Sequence, residues 1–340
     1  MTAAPTVPAE FPRLRGVSDA MLDLRKRVRQ VAATPLPVLI TGETGTGKEA
    51  VARTLFELSD RADGPFVPVD CAALSNSLVE TELFGHERGA FTGAAQRREG
   101  LVYAARGGVF FLDEVGELPL ETQTRLLRLL EANTYRPVGD SAERTADIRV
   151  LAATWRDLRK AVAEGTFRED LYHRLTIVEL RVPPLRERVA DIDELFEHFL
   201  RDATPAGTLP PGIEPAVRVH LRRWPWPGNV RELRNVAQYV AAMTTGARVG
   251  MADLPPSLLR PPPELPDTAL PMVFPASEIR IDLPYMEARR LFLDDFQQRY
   301  VEAMLEAHQG NVSAAARAAG MDRRSIQRIV KRGRTGSGPY

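Results

Sequence analysis

Four short apolar runs, separated by segments with helical spacing, dominate the first half of the chain. They are Val38-Leu39-Ile40, Phe66-Val67-Pro68-Val69, Val109-Phe110-Phe111-Leu112 and Arg149-Val150-Leu151-Ala152. Short runs without polar alternation are typical of strands buried on both faces of a parallel sheet. Segments 122–131 and 191–200 instead place their apolar residues on one helical face. The alternation of strand and helix predicts an α/β fold around a parallel sheet.

The remaining segments divide the rest of the chain. Segment 214–247 is mostly helical in pattern and predicts a small subdomain that closes the large one. Segment 255–284 contains nine of the 27 prolines, and because proline lacks an N–H and disrupts regular pairing, this segment is expected to be an extended linker. The predicted parts are a tail at 1–10, an α/β subdomain at 11–183, a helical lid at 184–254, the linker at 255–284 and an all-α domain at 285–340.

The composition, with 44% apolar and 26% charged residues, is that of an ordinary globular protein and excludes disordered and fibrous classes. No apolar run approaches the ~18 residues that cross a bilayer, and the first twelve residues lack the features of a secretory signal. A single cysteine, Cys71, cannot form an internal disulfide. A cytoplasmic protein with no membrane partner is therefore expected.

The charge is balanced overall but not locally. The chain contains 45 basic and 45 acidic side chains, yet residues 310–340 include seven basic residues and one acidic residue. A local basic excess is typical of a nucleic-acid interface. Any nucleic-acid partner is therefore expected at the C-terminus.

The first chemical motif follows the apolar run at 38–40 and precedes a helical segment; it reads Gly42-Glu43-Thr44-Gly45-Thr46-Gly47-Lys48-Glu49. Glycines let the backbone wrap a phosphate, so that consecutive N–H groups and the helix N-terminus point at it, while Lys48 reaches the terminal phosphates. A lone glycine loop is more often a turn, but strand, loop, lysine and helix occur here in the order that nucleotide binding requires. The residue after the lysine is normally Ser or Thr, which ligates magnesium, and here it is Glu49.

The second motif is the apolar run at 109–112 followed by Asp113 and Glu114. Asp113 is expected to help hold Mg²⁺, and Glu114 to orient and polarise the attacking water. The alternative is a strand that ends in two solvated acids. Combined with the phosphate loop, the motif predicts an ATPase that uses ATP and Mg²⁺. The five histidines show no metal-ligand spacing, so no other metal is expected.

A third motif lies between these two and reads Glu82-Leu83-Phe84-Gly85-His86-Glu87-Arg88-Gly89-Ala90-Phe91-Thr92-Gly93-Ala94. It resembles the signature surface loop of bacterial enhancer-binding proteins, the AAA+ activators of sigma-54 RNA polymerase. The resemblance implies that Gly89, Ala90, Phe91, Thr92, Gly93 and Ala94 contact sigma-54. Glycines on both sides would expose the aromatic ring at a flexible tip; a buried phenylalanine in a glycine turn is the alternative. The family normally carries Glu after the phosphate-loop lysine, which accounts for Glu49.

The resemblance extends from about residue 11 to residue 333. It implies an AAA+ P-loop ATPase with a parallel sheet and a small helical lid, followed by a Fis-type helix-turn-helix, in a ring that is a hexamer in the family. In the segment from Gly165 to Arg174 it implies that Arg168 and Arg174 reach the ATP of a neighbouring subunit, where an arginine stabilises transition-state charge. It also implies that Arg231, in Trp226-Pro227-Gly228-Asn229-Val230-Arg231-Glu232-Leu233, touches nucleotide from the lid. Without the resemblance these arginines would be interpreted as solvated or structural.

Two positions differ from the family pattern. The family usually has Asn where Asp70 stands, a residue thought to pair with the catalytic Glu and couple nucleotide state to the loop. An Asp there is expected to repel Glu114 unless one is protonated or a cation intervenes. The usual sensor Asn is replaced by Trp155, whose side chain accepts no hydrogen bond. Both changes bear on the rate and coupling of hydrolysis.

After the linker, the pattern is helix, glycine-containing turn and basic helix, which predicts a helix-turn-helix. The residues expected to face DNA are Arg323, Arg324, Ser325, Gln327, Arg328 and Lys331. A basic helix is often only a solvated face, but the similarity to the family's Fis-like domain favours DNA. Such motifs normally act as dimers on paired half-sites.

These features predict an activator that binds an upstream site on double-stranded DNA, hydrolyses ATP as a ring and remodels the closed complex of sigma-54 and RNA polymerase. A DNA-bound repressor with a weakly active ATPase would explain Asp70 and Trp155, but such members generally lose the Phe91 loop. A generic AAA+ unfoldase or helicase, or a purely structural DNA-binding protein, explains fewer of the motifs. Since about ten residues precede the ATPase segment, no N-terminal receiver or sensor domain is expected in this chain. Control is therefore expected from a partner, from expression level or from a region missing from this chain.

Overall fold

The computed structural model describes residues 11–75, 78–91, 94, 96–205 and 208–259, and single positions between 300 and 316. The chain divides into two compact units, Met1–Leu265 and Pro266–Tyr340. The helices of the first unit are α1 Asp19–Ala32, α2 Lys48–Glu57, α3 Val79–Phe84, α4 Leu101–Ala104, α5 Leu120–Ala132, α6 Leu158–Ala163, α7 Glu169–Leu175, α8 Ile192–Ala203, α9 Pro215–Arg223, α10 Asn229–Met243 and α11 Pro256–Leu259. None of the described helices is long and apolar enough to cross a membrane.

The strands of the first unit are β1 Val38–Thr41, β2 Phe66–Asp70, β3 Gly85–His86, β4 Arg98–Glu99, β5 Val109–Asp113, β6 Thr134–Tyr135, β7 Arg144–Thr145, β8 Arg149–Thr154, β9 Glu179–Arg181, β10 Gly212–Ile213 and β11 Arg248–Val249. Five of them form a sheet in the order β2-β5-β8-β1-β9, and every pairing in it is parallel. The predicted α/β fold with a parallel sheet is thus confirmed.

The sheet separates two apolar cores because successive side chains of a strand point to opposite faces. In β5, Phe110 and Leu112 face the core that contains α5 and α7. Val109 and Phe111 face the other core, together with α1 and α2. Covering both faces with helices explains why the strands are continuous apolar runs.

The strand order places β1 between β8 and β9, so the chain leaves β1 toward one side of the sheet and returns to its other side. Ligands of open parallel sheets bind at such a reversal, outside the carboxyl ends of the strands. The edge strand β2 includes Pro68, whose missing N–H is tolerated there because β2 pairs only with β5. The segment after β1 is therefore at the position where this topology forms a binding crevice.

A separate apolar core belongs to the lid. Side chains of α8, α9 and α10 pack there around two fully or nearly buried tryptophans, Trp224 and Trp226. Leu258 of α11 is buried in the same core, so the lid extends beyond residue 254 into the segment whose prolines predicted a linker. Proline is tolerated in the first turn of a helix, which is where Pro256 stands in α11. In the second unit, Val301 and Ala316 are buried and pack with Met304, Leu305 and Val312.

Candidate nucleotide site

The phosphate loop connects β1 to α2 and lies at the carboxyl edge of the sheet. Its three glycines, Gly42, Gly45 and Gly47, all have positive φ, the region that disfavours other residues. Gly47 occupies the N-cap of α2, and no side chain caps the first N–H groups of that helix. An uncapped helix N-terminus with a glycine loop wrapped around it is suited to binding a phosphate.

Lys48 is the first residue of α2, and its side chain is only 7% exposed. Its Nζ donates to the carbonyl of Gly42 at 3.1 Å and lies 3.2 Å from Oε1 of Glu114. The loop and the acidic end of β5, 66 positions apart in the chain, therefore meet at one ammonium group. An anion arriving in the loop would find this cation already oriented.

The two acids at the end of β5, Asp113 and Glu114, have different environments. Asp113 is partly buried, and its burial, together with the neighbouring charge of Glu114, raises the pKa of its carboxyl above the ordinary value. Its Oδ1 accepts the backbone N–H of Glu114 at 3.1 Å. A partly buried carboxylate beside a second one favours a cation, so the donor set fits a hard divalent ion such as Mg²⁺. The described residues contain no group of three or more His, Cys, Asp and Glu that would hold a metal without help from a ligand.

Glu114 stands in the left-handed region, with a φ of 55°. Its Oε2 accepts the backbone N–H of Trp155 at 3.2 Å. The indole of Trp155 is 54% exposed, with the guanidinium of Arg156 5.8 Å from the ring centroid. The residue at the usual sensor position thus reaches the carboxylate through its main chain.

Asp70, at the end of β2, faces its own loop. Its Oδ1 accepts the N–H groups of Ala72 and Ala73 at 3.0 and 3.2 Å. The chain spacing makes this an Asx-type turn. The structure therefore gives the carboxylate partners of its own, although its charge is among the smaller influences that raise the pKa of Asp113.

The lid covers the phosphate loop through direct contacts. The N–H of Arg231 donates to the carbonyl of Gly45 at 3.2 Å. A Cβ added at Gly45 would lie 2.4 Å from the carbonyl oxygen of Gly228, so only glycine allows this approach. Asn229 and Arg186 also contact the loop, at Glu43 and Thr44, and the motifs had singled out neither residue for a role. Arg186 has no sequence signal beyond its charge, because nothing in the pattern says which acid it meets.

Behind the loop lies a cavity of about 300 Å³. Its wall is mainly apolar and includes Leu14, Met21, Leu24, Val51, Leu195 and Phe199. Arg188 also lines it; burial lowers the pKa of its guanidinium to about 10, and it donates to the carbonyl of Thr46 at 2.8 Å. Such a cavity next to a phosphate loop can hold a flat, largely apolar ring.

The two arginines expected to act on a neighbouring subunit are exposed and paired within the chain. Arg168, the N-cap of α7, forms two hydrogen bonds with Asp170, of 3.1 and 2.6 Å. Arg174, in α7, lies 3.1 Å from Glu131 of α5. The described contacts of both arginines lie outside the phosphate loop.

The loop between β3 and β4 presents Phe91. The Phe91 ring is 40% exposed and makes an edge contact with His86, with 5.0 Å between ring centroids. Gly89, Ala90 and Ala94 are bonded into the base of the loop through main-chain groups. Thr92 and Gly93 lie outside the described residues, as do all six residues expected to contact DNA.

Comparison with known proteins gives matching assignments along the chain. The profile of the Sigma-54 interaction domain matches residues 14–181, that of the AAA+ ATPase lid domain residues 186–270, and that of the Fis family of bacterial regulatory proteins residues 292–332. The regulator NtrC of Klebsiella pneumoniae is 38% identical over 323 residues, which cover 93% of this chain and 69% of NtrC. The chain belongs to this family of NtrC-type regulators with a sigma-54 interaction domain. The predicted family and the predicted AAA+ fold with a lid are both confirmed.

Other NtrC-type relatives agree. The regulatory protein AtoC of Escherichia coli K12 is 41% identical over 310 residues, covering 91% of this chain and 65% of AtoC. The crystal structure of NtrX from Brucella abortus in complex with ATP is 35% identical, with a TM-score of 0.66, and the match covers 94% of this chain and 68% of NtrX. The chain thus spans about two thirds of the length of these regulators.

Proposed function

We propose that this NtrC-type chain is an ATP-driven transcription activator. It binds DNA upstream of a promoter, assembles into a ring and presses the Phe91 loop against sigma-54, which converts the closed RNA polymerase complex into an open one. The observation that carries the proposal is the 40% exposed ring of Phe91 on a loop that belongs to the same compact unit as the phosphate loop. An exposed aromatic on an anchored loop is suited to gripping a partner.

The anchoring of the loop supports transmission of movement. Its base is joined to the β6–β7 hairpin by two main-chain hydrogen bonds, from Glu87 to Val138 and from Val138 to Gly85. Arg144 of β7 also lies 2.8 Å from Glu87. A displacement of the β6–β7 hairpin would therefore move the Phe91 loop with it.

The proposed chemistry is hydrolysis of ATP. Lys48 would bind the terminal phosphates, Asp113 would hold Mg²⁺ and Glu114 would orient the attacking water. Magnesium, when bound, supplies charge neutralisation at the phosphates. Lys48 and the main chain of Trp155 both contact the carboxylate of Glu114, which places it beside the phosphate loop.

Arg168 and Arg174 are proposed to complete the site of a neighbouring subunit. Their partners, Asp170 and Glu131, form exposed pairs, which contribute little free energy and exchange readily. The test mixes two inactive variants, Glu114→Gln and Arg174→Ala. In a mixed ring, some sites combine the intact Glu114 of an Arg174→Ala subunit with the intact Arg174 of a neighbouring Glu114→Gln subunit. Hydrolysis should return at these sites, and mixtures that stay inactive would contradict action in trans.

The Fis-type segment is proposed to place the chain on DNA through Arg323, Arg324, Ser325, Gln327, Arg328 and Lys331. Basic side chains on phosphates make such binding salt-dependent. Dimers of this motif would contact paired half-sites.

The deciding experiment is open-complex formation by sigma-54 RNA polymerase on a sigma-54 promoter, with ATP and the purified chain. The wild type should open the promoter only with hydrolysable ATP, and Phe91→Ala should abolish opening while keeping ATP hydrolysis. Tyr103→Ala is the matched control, because Tyr103 is a similarly exposed aromatic, at 44%, outside the loop. ATP hydrolysis without promoter opening by the wild type would contradict the proposal, and DNA binding that only lowers transcription would favour a repressor.

A further inference from the structure

A carboxylate stands inside the phosphate loop, at Glu43, where it would repel a triphosphate. The structure shows which group neutralises this charge. Both carboxylate oxygens accept hydrogen bonds from the guanidinium of Arg186, one of them at 2.7 Å. These bonds hold the pKa of the Glu43 carboxyl below its ordinary value. Glu43 is therefore neutralised by the lid and directed toward it.

Asn229, the first residue of α10, reinforces the same contact. Its Nδ2 donates to Oε2 of Glu43 and to the carbonyl of Thr44, both at 3.1 Å. Its Oδ1 accepts the N–H of Leu185 at 2.8 Å. The residue is fully buried and has a φ of 52°, in the left-handed region that few non-glycine residues occupy and that asparagine tolerates best. Asn229 thus connects the phosphate loop, at Glu43 and Thr44, to the segment at Leu185.

Arg231 follows two residues later in α10. Its N–H is bonded to Gly45 of the loop, but its exposed guanidinium has no hydrogen-bond or ion-pair partner within the described part of the chain. A cation beside a phosphate loop with no partner of its own can turn to an anion in that loop. The position of the Arg231 guanidinium depends on how the first turn of α10 packs against the phosphate loop.

We infer that Glu43 is a positioning residue that seats the lid, so that Arg231 faces the nucleotide, and that it is not itself a nucleotide ligand. The inference deepens the proposed function and rests on it, since it takes ATP as the occupant of the loop. If Glu43 acted only through its own charge, Glu43→Gln would strengthen ATP binding, because it removes a negative charge beside the phosphates. If Glu43 positions the lid, Glu43→Gln should weaken ATP binding.

The experiment is a double-mutant cycle on the full chain, with the dissociation constant of a fluorescent ATP analogue as the readout. Glu43→Gln and Arg186→Ala should each weaken binding about tenfold, the effect expected for loss of one charge-assisted contact. Arg231→Ala should weaken binding at least as much. The double variant Glu43→Gln with Arg231→Ala should bind within about twofold of Arg231→Ala alone, since residues that act through one another are not additive.

The matched control is Glu187→Gln. Glu187 is 41% exposed, close to the 43% of Glu43, and it also pairs with an arginine through two bonds, to Arg181, without contacting the loop. This variant should bind like the wild type. Arg186→Ala leaves the loop sequence intact, so a second cycle that combines it with Arg231→Ala still tests the inference if Glu43→Gln fails to fold in a melting experiment.

Tighter binding by Glu43→Gln, full additivity of the two substitutions, or an Arg231→Ala variant that binds normally would each overturn the inference. Binding is measured without hydrolysis or RNA polymerase. A failure of promoter opening would therefore count against the proposed function and leave this result unaffected.

Discussion

The Nζ atom of Lys48 lies 3.2 Å from Oε1 of Glu114, so the cation of the phosphate loop and the carboxylate after β5 form an ion pair across the edge of the sheet. A bound triphosphate would take over the lysine and leave the carboxylate for water. We expect Glu114→Gln to lower kcat by at least about 100-fold while the ATP dissociation constant changes only a few-fold. Phosphate release and nucleotide titration measure the two effects.

The control for this experiment is Glu117→Gln, which removes an acid three residues later that pairs with Arg156 at 2.7 Å. It should keep the wild-type rate. Equal losses in Glu114→Gln and Glu117→Gln would contradict the assignment of Glu114 as the group that orients water.

Trp155 should matter through its main chain more than through its indole. The Trp155 N–H donates to Glu114, while more than half of the side chain is exposed. We therefore expect Trp155→Ala to change kcat less than about threefold, and Trp155→Pro, which removes the N–H, to lose most hydrolysis. Steady-state rates and a far-ultraviolet circular dichroism check are sufficient. If Trp155→Ala were as inactive as Glu114→Gln, the indole itself would have to act.

Alanine substitutions at Gly45 and Gly47 distinguish the cost of backbone strain from the cost of a clash with the lid. Both have positive φ, at 78° and 106°, but an added Cβ meets the lid only at Gly45; at Gly47 nothing lies within 4 Å. Each substitution by alanine should cost about 1 kcal/mol of strain. Gly45→Ala should cost clearly more, since Gly228 must also move. Urea unfolding of the nucleotide-free variants measures the difference, and equal losses would show that the close contact is unimportant.

Asp113 should destabilise the empty protein. Its charge is partly buried beside Glu114, which is why the pKa of its carboxyl is raised. Asp113→Asn removes that charge and should raise the melting temperature in metal-free buffer, while abolishing hydrolysis, a trade-off typical of functional sites. A lower melting temperature for Asp113→Asn would mean that the carboxylate is stabilising in the empty site.

Glu43 gives a pH dependence of known sign. Arg186 lowers the pKa of the folded-state carboxyl, so the pair stabilises the fold above the ordinary pKa of 4.5, and that stabilisation is lost as the pH falls through the lower folded value. The wild type should therefore melt above Glu43→Gln at pH 7, and the difference should shrink below pH 4.5. Melting curves across this range test it; a difference that grew in acid would contradict the pairing.

Much of the fold could be read from local patterns. The runs at Val38, Phe66, Val109 and Arg149 became four of the five strands of the main sheet. The fifth, Glu179–Arg181, was not predicted, although Val178, Leu180 and Val182 alternate with charged residues. A three-residue strand gives too short a pattern to stand out from the flanking turns.

Roles that depend on a distant partner were not visible in the sequence. The sequence predicts repulsion between Asp70 and Glu114 unless one is protonated or a cation intervenes. The hydrogen bonds that Oδ1 of Asp70 accepts from the N–H groups of Ala72 and Ala73 were not visible in the pattern. The side chain of Trp155 accepts no hydrogen bond, as the sequence indicates, and the contact with Glu114 is made by the main-chain N–H of Trp155. Pairwise contacts between residues far apart in the chain are set by sheet order, which the motifs do not encode.

By itself the sequence determined the chemistry: glycines that can wrap a phosphate, a lysine at a helix start, two acids after a buried strand and an aromatic in a glycine-rich loop. These follow from local backbone freedom and side-chain type, which are properties of neighbouring residues. Only the tertiary structure decided that Glu43 serves the lid, because the order β2-β5-β8-β1-β9 and the packing of α10 bring residues 43, 186 and 229 together. The charge of a residue is written in the sequence, but the group that neutralises it is selected by the fold.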